Sequence, residues 1–351
     1  MTSDIKTVTV SDDEGGIYSV RVDSGESTWR FESGDRPVSS GPVVADDVVF
    51  AGTDEGLIAI EGEDATWTTD EMAEPIVATP VVADRTIYAG TIDGTVHAVD
   101  RDSWANEWIF DVPTGRITAS PTFHAGTLYV GSVDRNLYAI DAATGAELWT
   151  FDAPIGPIRT SPCVSGDLVI VGSDDRRIYG IDAVTGESRW TFDEPAGPVK
   201  SSPRVHEGTV YVGSWEALYA IEPSDGELLW ELPLPATGVD ATPVLDGDIV
   251  YVGTLAGTLL AIDALAGERL WTFEEPSGWI VASAQVVDDL VVVGTGDGTL
   301  FGIDATDGTA NWTFDEPDGI STDPVKGGPS ASMMTVESRD GGHTPPLETH
   351  E

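Results

Sequence analysis

Leu137-Tyr-Ala-Ile-Asp141-Ala-Ala-Thr-Gly145-Ala-Glu-Leu-Trp149-Thr-Phe-Asp152 is followed, after seven residues, by Thr160-Ser161-Pro162. The first part alternates large and small residues, which suits a half-buried strand. Asp141 to Gly145 has turn chemistry: a carboxylate that accepts backbone N–H bonds, and a glycine that tolerates positive φ. Trp149 lies on the return strand. The same unit recurs with a tryptophan at Trp29, Trp67, Trp108, Trp149, Trp190, Trp230, Trp271 and Trp312, at spacings of 38, 41, 41, 41, 40, 41 and 41 residues. A period near 41 with four short strand patterns per unit predicts an all-β fold, a β-propeller of four-stranded antiparallel blades.

Each unit runs through four strand types. Ser161-Pro162-Cys163-Val164 shows the first, Thr209 to Gly213 the second, Leu137 to Ile140 the third, and the strand bearing the tryptophan is the fourth. Asp93-Gly94 and Asp297-Gly298 mark hairpin turns between second and third strands. Proline stands 13 residues after tryptophan at Pro42, Pro80, Pro121, Pro162, Pro203 and Pro243; Ala284 takes the place once, and Pro324 falls one residue early. Eight first, third and fourth strands are counted. Only seven second strands lie within the run, and Thr7 to Val10 supplies the eighth. The ring is therefore expected to close by pairing that N-terminal strand with Ser321 to Val325, which leaves no open sheet edge. Residues 1–6 read as an extension, 7–325 as the propeller, and 326–351 as a disordered tail in which Ser332 to Val336 is a rival strand. Two units are worn. The second loses two turn residues between Glu61 and Trp67, and the third carries Trp104 where others have glycine.

The 351 residues include 61 acidic and 17 basic side chains, a net charge of −44. The acid is spread through all repeats and only three residues are lysine. Self-repulsion of that density opposes a compact fold in dilute buffer, and molar salt screens it to about 3 Å. This composition is expected of a protein from a halophile; the rival reading is an acidic surface for a basic partner. The same charge also argues against nucleic acid as a partner. One cysteine, Cys163, excludes an intrachain disulfide and is expected to be a buried, inert thiol. The first residues carry no export signal and no window reaches 18 apolar residues. A cytoplasmic monomer without a membrane span is expected, with export possible only from an upstream start.

The run Asp-Ala-x-Thr-Gly-x-x-x-Trp at Asp141–Trp149 and Asp182–Trp190 resembles the tryptophan-docking motif of the PQQ-like β-propeller family. Looser matches end at Trp29, Trp108, Trp230, Trp271 and Trp312, so the resemblance covers about residues 7–325. It implies that each tryptophan packs between neighbouring blades, with the first strand innermost. The family's quinoprotein dehydrogenases are longer and carry a vicinal disulfide beside the cofactor and carboxylates that hold calcium. This chain has neither the disulfide nor that length. It is more similar to the non-catalytic branch that includes the BamB lipoprotein, though without a lipidation cysteine near its start. The resemblance implies a non-enzymatic scaffold that binds a protein or peptide, with no cofactor and no catalytic residue carried over. The alternatives are a PQQ- or carbohydrate-linked oxidoreductase, or an exported envelope or signalling module.

No pair of the five histidines has metal-ligand spacing. Acidic pairs are too frequent to mark a general acid and base, and the Asp-rich turns lack the alternation of a calcium loop. One column of residues stands out, three positions before each proline on the loop entering the innermost strand. Arg159 and Lys200 occupy it on adjacent blades. Arg116 shares the loop one blade earlier, and Arg204 lies four residues beyond Lys200. These four basic residues are expected near one sector of the channel mouth, as an anion or acidic-peptide site. The competing expectation is local pairing with nearby carboxylates.

Overall fold

The computed structural model describes residues 6–12, 15–33, 37–62, 64–67, 72, 74–234, 238–315 and 325–326, without the side chains of 64–67 and 325–326. The expected tail from 327 onward, the rival strand Ser332 to Val336, and Ser321 to Pro324 lie outside these residues.

Eight four-stranded antiparallel sheets form the ring, and the first strands of successive blades lie side by side around the axis. Numbered from the N-terminal strand, the fourth blade runs outward as Thr122–His124, Thr127–Gly131, Leu137–Asp141 and Glu147–Phe151. The first blade closes the circle. Its second strand, Thr7–Ser11, pairs antiparallel with Val325–Lys326, in the register Thr9↔Val325 and Val8↔Lys326. The closing strand thus includes Lys326, one residue beyond the end read from the sequence.

The alternation in Leu137–Asp141 has a different meaning from a half-buried strand. Leu137 and Ala139 pack towards the fifth blade, with Val169, Val171 and Tyr179. Tyr138 and Ile140 pack towards the third, with Tyr88 and Val96. Each blade is covered by neighbours on both sides, so its second and third strands are buried nearly throughout. The outer strand alternates instead: Trp149 and Phe151 are buried, whereas Leu148 is exposed. Eight hydrophobic clusters result, each built from two adjacent blades, the eighth joining the last blade to the first through Leu300, Val8 and Tyr18.

The tryptophans occupy these interfaces. Within its own blade, Trp149 lies opposite Ala139 and Trp190 opposite Gly180, and a bulge follows that pair. A methyl group on Gly180 would lie 2.1 Å from the Trp190 ring, so the indole fills the space a larger residue would take. The ring then crosses to the next blade. Trp149 Nε1 donates to Ala183 O at 3.0 Å, and Trp108, Trp190, Trp230 and Trp271 donate to Ala142, Pro223, Ala264 and Ala305 at 2.8–3.0 Å. Trp29 reaches Gly62 O at 2.9 Å, and Trp312 closes the set on Val22 O at 2.7 Å. The turn glycine of the next blade lies against the ring: a Cβ at Gly186 (φ +72°) would meet Trp149 at 2.7 Å. Tyrosines on second strands reach the same carbonyls, with Tyr88 donating to Ala142 O at 3.1 Å and Tyr129 to Ala183 O at 3.3 Å.

The worn units are legible in these terms. The second blade has the short turn and no bulge, so Trp67 pairs with Ile58 instead of the alanine at the usual position. In the third, Trp104 holds the left-handed turn position (φ +60°) and packs by Phe50, with ring centroids 6.4 Å apart.

Replacement of Trp149 by alanine is expected to lower stability by about 3–5 kcal/mol, as for other large-to-small core changes. Gly186→Ala is expected to cost about 1–2 kcal/mol from backbone conformation alone, and more from the collision with Trp149. Trp104→Gly relieves the same backbone strain but loses the contact with Phe50, so its net effect is expected within about 1 kcal/mol of zero. Denaturant titration of the three variants checks this order.

Candidate functional site

The first strands enclose a channel with two chambers. The smaller, about 310 Å³, opens among the loops that connect successive blades and is lined by Ser39, Thr118, Arg159 and Asp240 among others. The larger, about 740 Å³, lies towards the opposite face, along the first strands themselves. Gly41, Thr79, Ser120, Ser161, Ser202, Thr242 and Ser283 border both and form a waist of small residues. Their hydroxyls tie the blades together. Ser161 Oγ accepts from Ser120 N at 3.1 Å, Ser202 Oγ from Ser161 N at 2.9 Å, and Ser283 Oγ from Thr242 N at 3.1 Å. The Ser/Thr-Pro signal of the sequence is therefore an inter-blade contact, with the proline where no N–H is needed.

The four basic residues do not all share one mouth. Arg159 lines the small chamber, and its Nε donates to Asp174 Oδ2 at 2.9 Å. Lys200, on the next loop, faces Asp240 at 4.0 Å. Arg116 is exposed on the preceding loop. Arg204 lies in the larger chamber, because four residues of extended chain carry it about 13 Å along the axis. The sequence grouping of Arg204 with the other three is corrected accordingly. Burial pushes the Asp240 carboxyl above its usual range, with Lys200 opposing and Asp174 adding to the rise. An anion entering this mouth would compete with Asp174 for Arg159 and with Asp240 for Lys200.

The loop face also holds a recurring clamp that sequence reading missed. Asp134 accepts Tyr138 Oη at 2.8 Å and the backbone N of Thr114 at 2.8 Å, so one carboxylate joins its own blade to the preceding loop. Asp175 does the same with Tyr179 at 2.7 Å and Ile155 N at 2.9 Å. The signal was present as Asp-x-x-x-Tyr after the second strand.

Cys163 is half-buried along the larger chamber and not fully enclosed, although burial still pushes its thiol pKa up. Its strand is innermost and faces the channel, which explains the difference from expectation. His97 is buried between Thr95 Oγ1 (3.0 Å) and Asn106 Oδ1 (3.1 Å), and burial lowers its pKa. Among the described residues no three His, Cys, Asp or Glu side chains gather as a metal-holding group, and no helix is long and apolar enough to cross a membrane.

A sequence family described as outer membrane protein assembly factor BamB, built of PQQ-type repeats, matches residues 13–113, 92–242 and 216–338. The chain belongs to the PQQ-like β-propeller family. Among solved structures, the fold is similar to BamB from Moraxella catarrhalis, at 19% identity and a TM-score of 0.70, over 80% of this chain and 89% of that one. It is also similar to the computationally designed Ika8 protein, at 18% identity and a TM-score of 0.74, over 83% and 91%. A search of curated proteins finds no match.

In this PQQ-like propeller the described lining of the larger chamber does not supply the carboxylates that hold calcium beside the quinone in the family's dehydrogenases. Among the described residues the charged side chains of the larger chamber are Arg204 and Asp246, on adjacent blades, and the sole cysteine is free. One carboxylate is a poor donor set for a hard cation that takes six to eight oxygens, roughly.

The clamps make a pH expectation. Burial first, then the Asp134 or Asp175 carboxylate, pushes Tyr138 and Tyr179 up to about 12, against about 10 in an unfolded chain. A raised pKa means the folded state holds the proton more tightly. The stability they contribute is complete below about pH 10 and lost as pH rises towards about 12. Tyr138→Phe with Tyr179→Phe is expected to flatten this alkaline loss in melting experiments.

Proposed function

We propose that the chain is a non-enzymatic propeller scaffold that binds a protein or peptide partner on the face formed by the inter-blade loops. One observation carries the reading: the blades repeat one architecture, yet on this face a position that is proline in four blades is Arg116, Gly238 or Trp279 in three others. Directly before the buried Ile or Val that enters each first strand stand Pro37, Pro75, Arg116, Pro157, Pro198, Gly238 and Trp279. The opposite face repeats Asp-capped turns, where Asp141 accepts from Thr144 N at 2.9 Å and Asp182 from Thr185 N at 2.8 Å. A constant framework with variable loops at one end is the usual arrangement of a recognition surface. The single carboxylate among the described residues of the larger chamber supports a role without PQQ and calcium.

Display of random peptides against the immobilised protein tests the binding reading. Selected ligands should lose binding on substitution of loop-face residues and keep it on substitution of Asp-turn residues. Incubation with PQQ and calcium should leave no chromophore with the protein after gel filtration. A stoichiometric chromophore, or selected ligands held by the Asp-turn face, would overturn the reading.

The acidity is read as adaptation of this scaffold to molar salt. Every ion pair described is at the surface, so few of the 61 carboxylates are offset internally. Tertiary structure is expected at multimolar KCl and lost in dilute neutral buffer. Acidification at low salt to about pH 5 should restore part of it. Further acidification should remove it again. Hydrogen bonds from the turn residues hold Asp141 and Asp100 below the usual carboxylate range. A lowered pKa stabilises above the unfolded value and is lost as pH falls through the folded one. Near-UV circular dichroism across a salt series checks this; an unchanged spectrum from about 0.1 M to about 3 M would contradict it.

A further inference from the structure

Eight of the eleven tryptophans fall on the repeat period and Trp104 lies within an interface. The remaining two, Trp215 and Trp279, are 46% and 56% exposed. Both lie on the loop face. Trp215 belongs to the turn between second and third strands of the sixth blade, and Trp279 to the loop from the seventh blade to the eighth. Leu255, in the corresponding turn of the seventh blade, falls between them. A Cβ at Gly238 would meet Leu255 at 3.0 Å and Trp215 at 3.4 Å, so these two cover one glycine together. Thr254 O accepts from Ile280 N at 3.0 Å, and Trp279 O from Gly296 N at 3.0 Å. The three apolar residues therefore form one arc over blades six to eight.

Trp279 rests its indole on backbone, and Trp215 abuts backbone at the root of its side chain. A Cβ at Gly197 would lie 2.6 Å from Trp215 Cβ, and one at Gly296 only 2.2 Å from Trp279 Nε1. An indole supported from beneath by backbone and open above is a platform for a cation. Trp215 also marks a break in the repeat. The fourth and fifth blades use this turn for the Asp–Tyr clamp, through Asp134 and Asp175. The sixth has a turn one residue shorter, with Trp215-Glu216 in its place. The clamp is given up where the exposed tryptophan appears.

At the Trp215 end of the arc, where Glu216 is its neighbour in the chain, the charge is negative. Glu231, Glu216 and Glu194 all bear on the Tyr219 hydroxyl, whose pKa burial and then these carboxylates push up. Among the described residues none of the three has an ion-pair partner. In the neighbouring sector, by contrast, Arg159 and Lys200 already face Asp174 and Asp240. The free charge beside Trp215 is thus anionic and suits a basic partner.

We propose that Trp215, Leu255 and Trp279, with the carboxylates of Glu194, Glu216 and Glu231, bind an extended basic segment of a partner protein. Its arginine and lysine side chains lie over the two indoles and its apolar side chains against Leu255. This rests on the scaffold reading and names the chemistry of the partner.

The test uses two fluorescein-labelled peptides of equal length, one alternating arginine with leucine and one alternating glutamate with leucine. Anisotropy is measured at the lowest KCl concentration at which near-UV circular dichroism shows the folded protein. The arginine peptide should bind. Trp279→Ala and Trp215→Ala should each weaken it about tenfold, in line with a desolvated cation–π contact, and Trp279→Phe should restore part of the loss. Val184→Ser and Leu265→Ser, exposed on the opposite face, should change nothing. Equal binding to all variants would mean attraction to acidic surface in general, and would overturn the proposal. Preference for the glutamate peptide, or binding of neither, would overturn it too. Peptides selected on the loop face that carry no basic residues would remove this proposal while the scaffold reading stands.

Discussion

The structure depends on one contact made repeatedly: an indole N–H donating to a turn carbonyl of the next blade, with a glycine of that turn against the ring. Each part requires the others. The small residue opposite the tryptophan, Ala139 or Gly180, gives the indole room inside its own blade. The Asp-capped turn presents the carbonyl, and the left-handed glycine lets the turn approach to van der Waals distance. An isolated four-stranded blade has two apolar faces and cannot be stable alone, so each blade's core exists only in company with its neighbours. The contact from Trp312 to Val22 then acts as the closing joint, next to the strand pair Thr9↔Val325.

Because the ring is closed, its two ends are free to differ. The end formed by the Asp-x-x-Thr-Gly turns is committed to docking, since the residues that cap these turns also position the carbonyls. At the other end backbone bonds join loops to the next turn, and side chains such as Asp134 and Asp175 clamp some of them. Where the contact to the next turn is made by backbone alone, the side chain is less constrained. Trp215 and Trp279 sit at that end, and both lie outside the period that places the docking tryptophans.

Much of the fold was legible in the sequence because a repeat states the same constraint eight times. The spacing of tryptophan and proline gave the blade count, and the missing second strand pointed to Thr7–Ser11 as the closing element. The meaning of the large–small alternation in Leu137–Asp141 was not legible, because a strand buried on both sides by unlike neighbours looks locally like a half-buried one. The site was less readable. Arg204 is close to Lys200 in sequence, but an extended innermost strand carries it into the other chamber. The pairing of Arg159 with Asp174 joins a loop to the turn of the next blade, 15 residues away, and no local pattern announces it. The two exposed tryptophans could have been found by subtraction, as those that fall outside the period.

The measurement that tests this account most directly is hydrogen exchange of the indole N–H groups, followed by NMR in concentrated salt. Buried inter-blade hydrogen bonds that hold the ring together should open only when the whole ring unfolds. The indole protons of Trp29, Trp108, Trp149, Trp190, Trp230, Trp271 and Trp312 should therefore exchange slowly, with one common free energy of opening equal to that of global unfolding. Those of Trp215 and Trp279 should exchange at once. Docking indoles that exchange as fast as Trp215, or each with its own low opening free energy, would contradict the claim that these contacts hold the propeller closed.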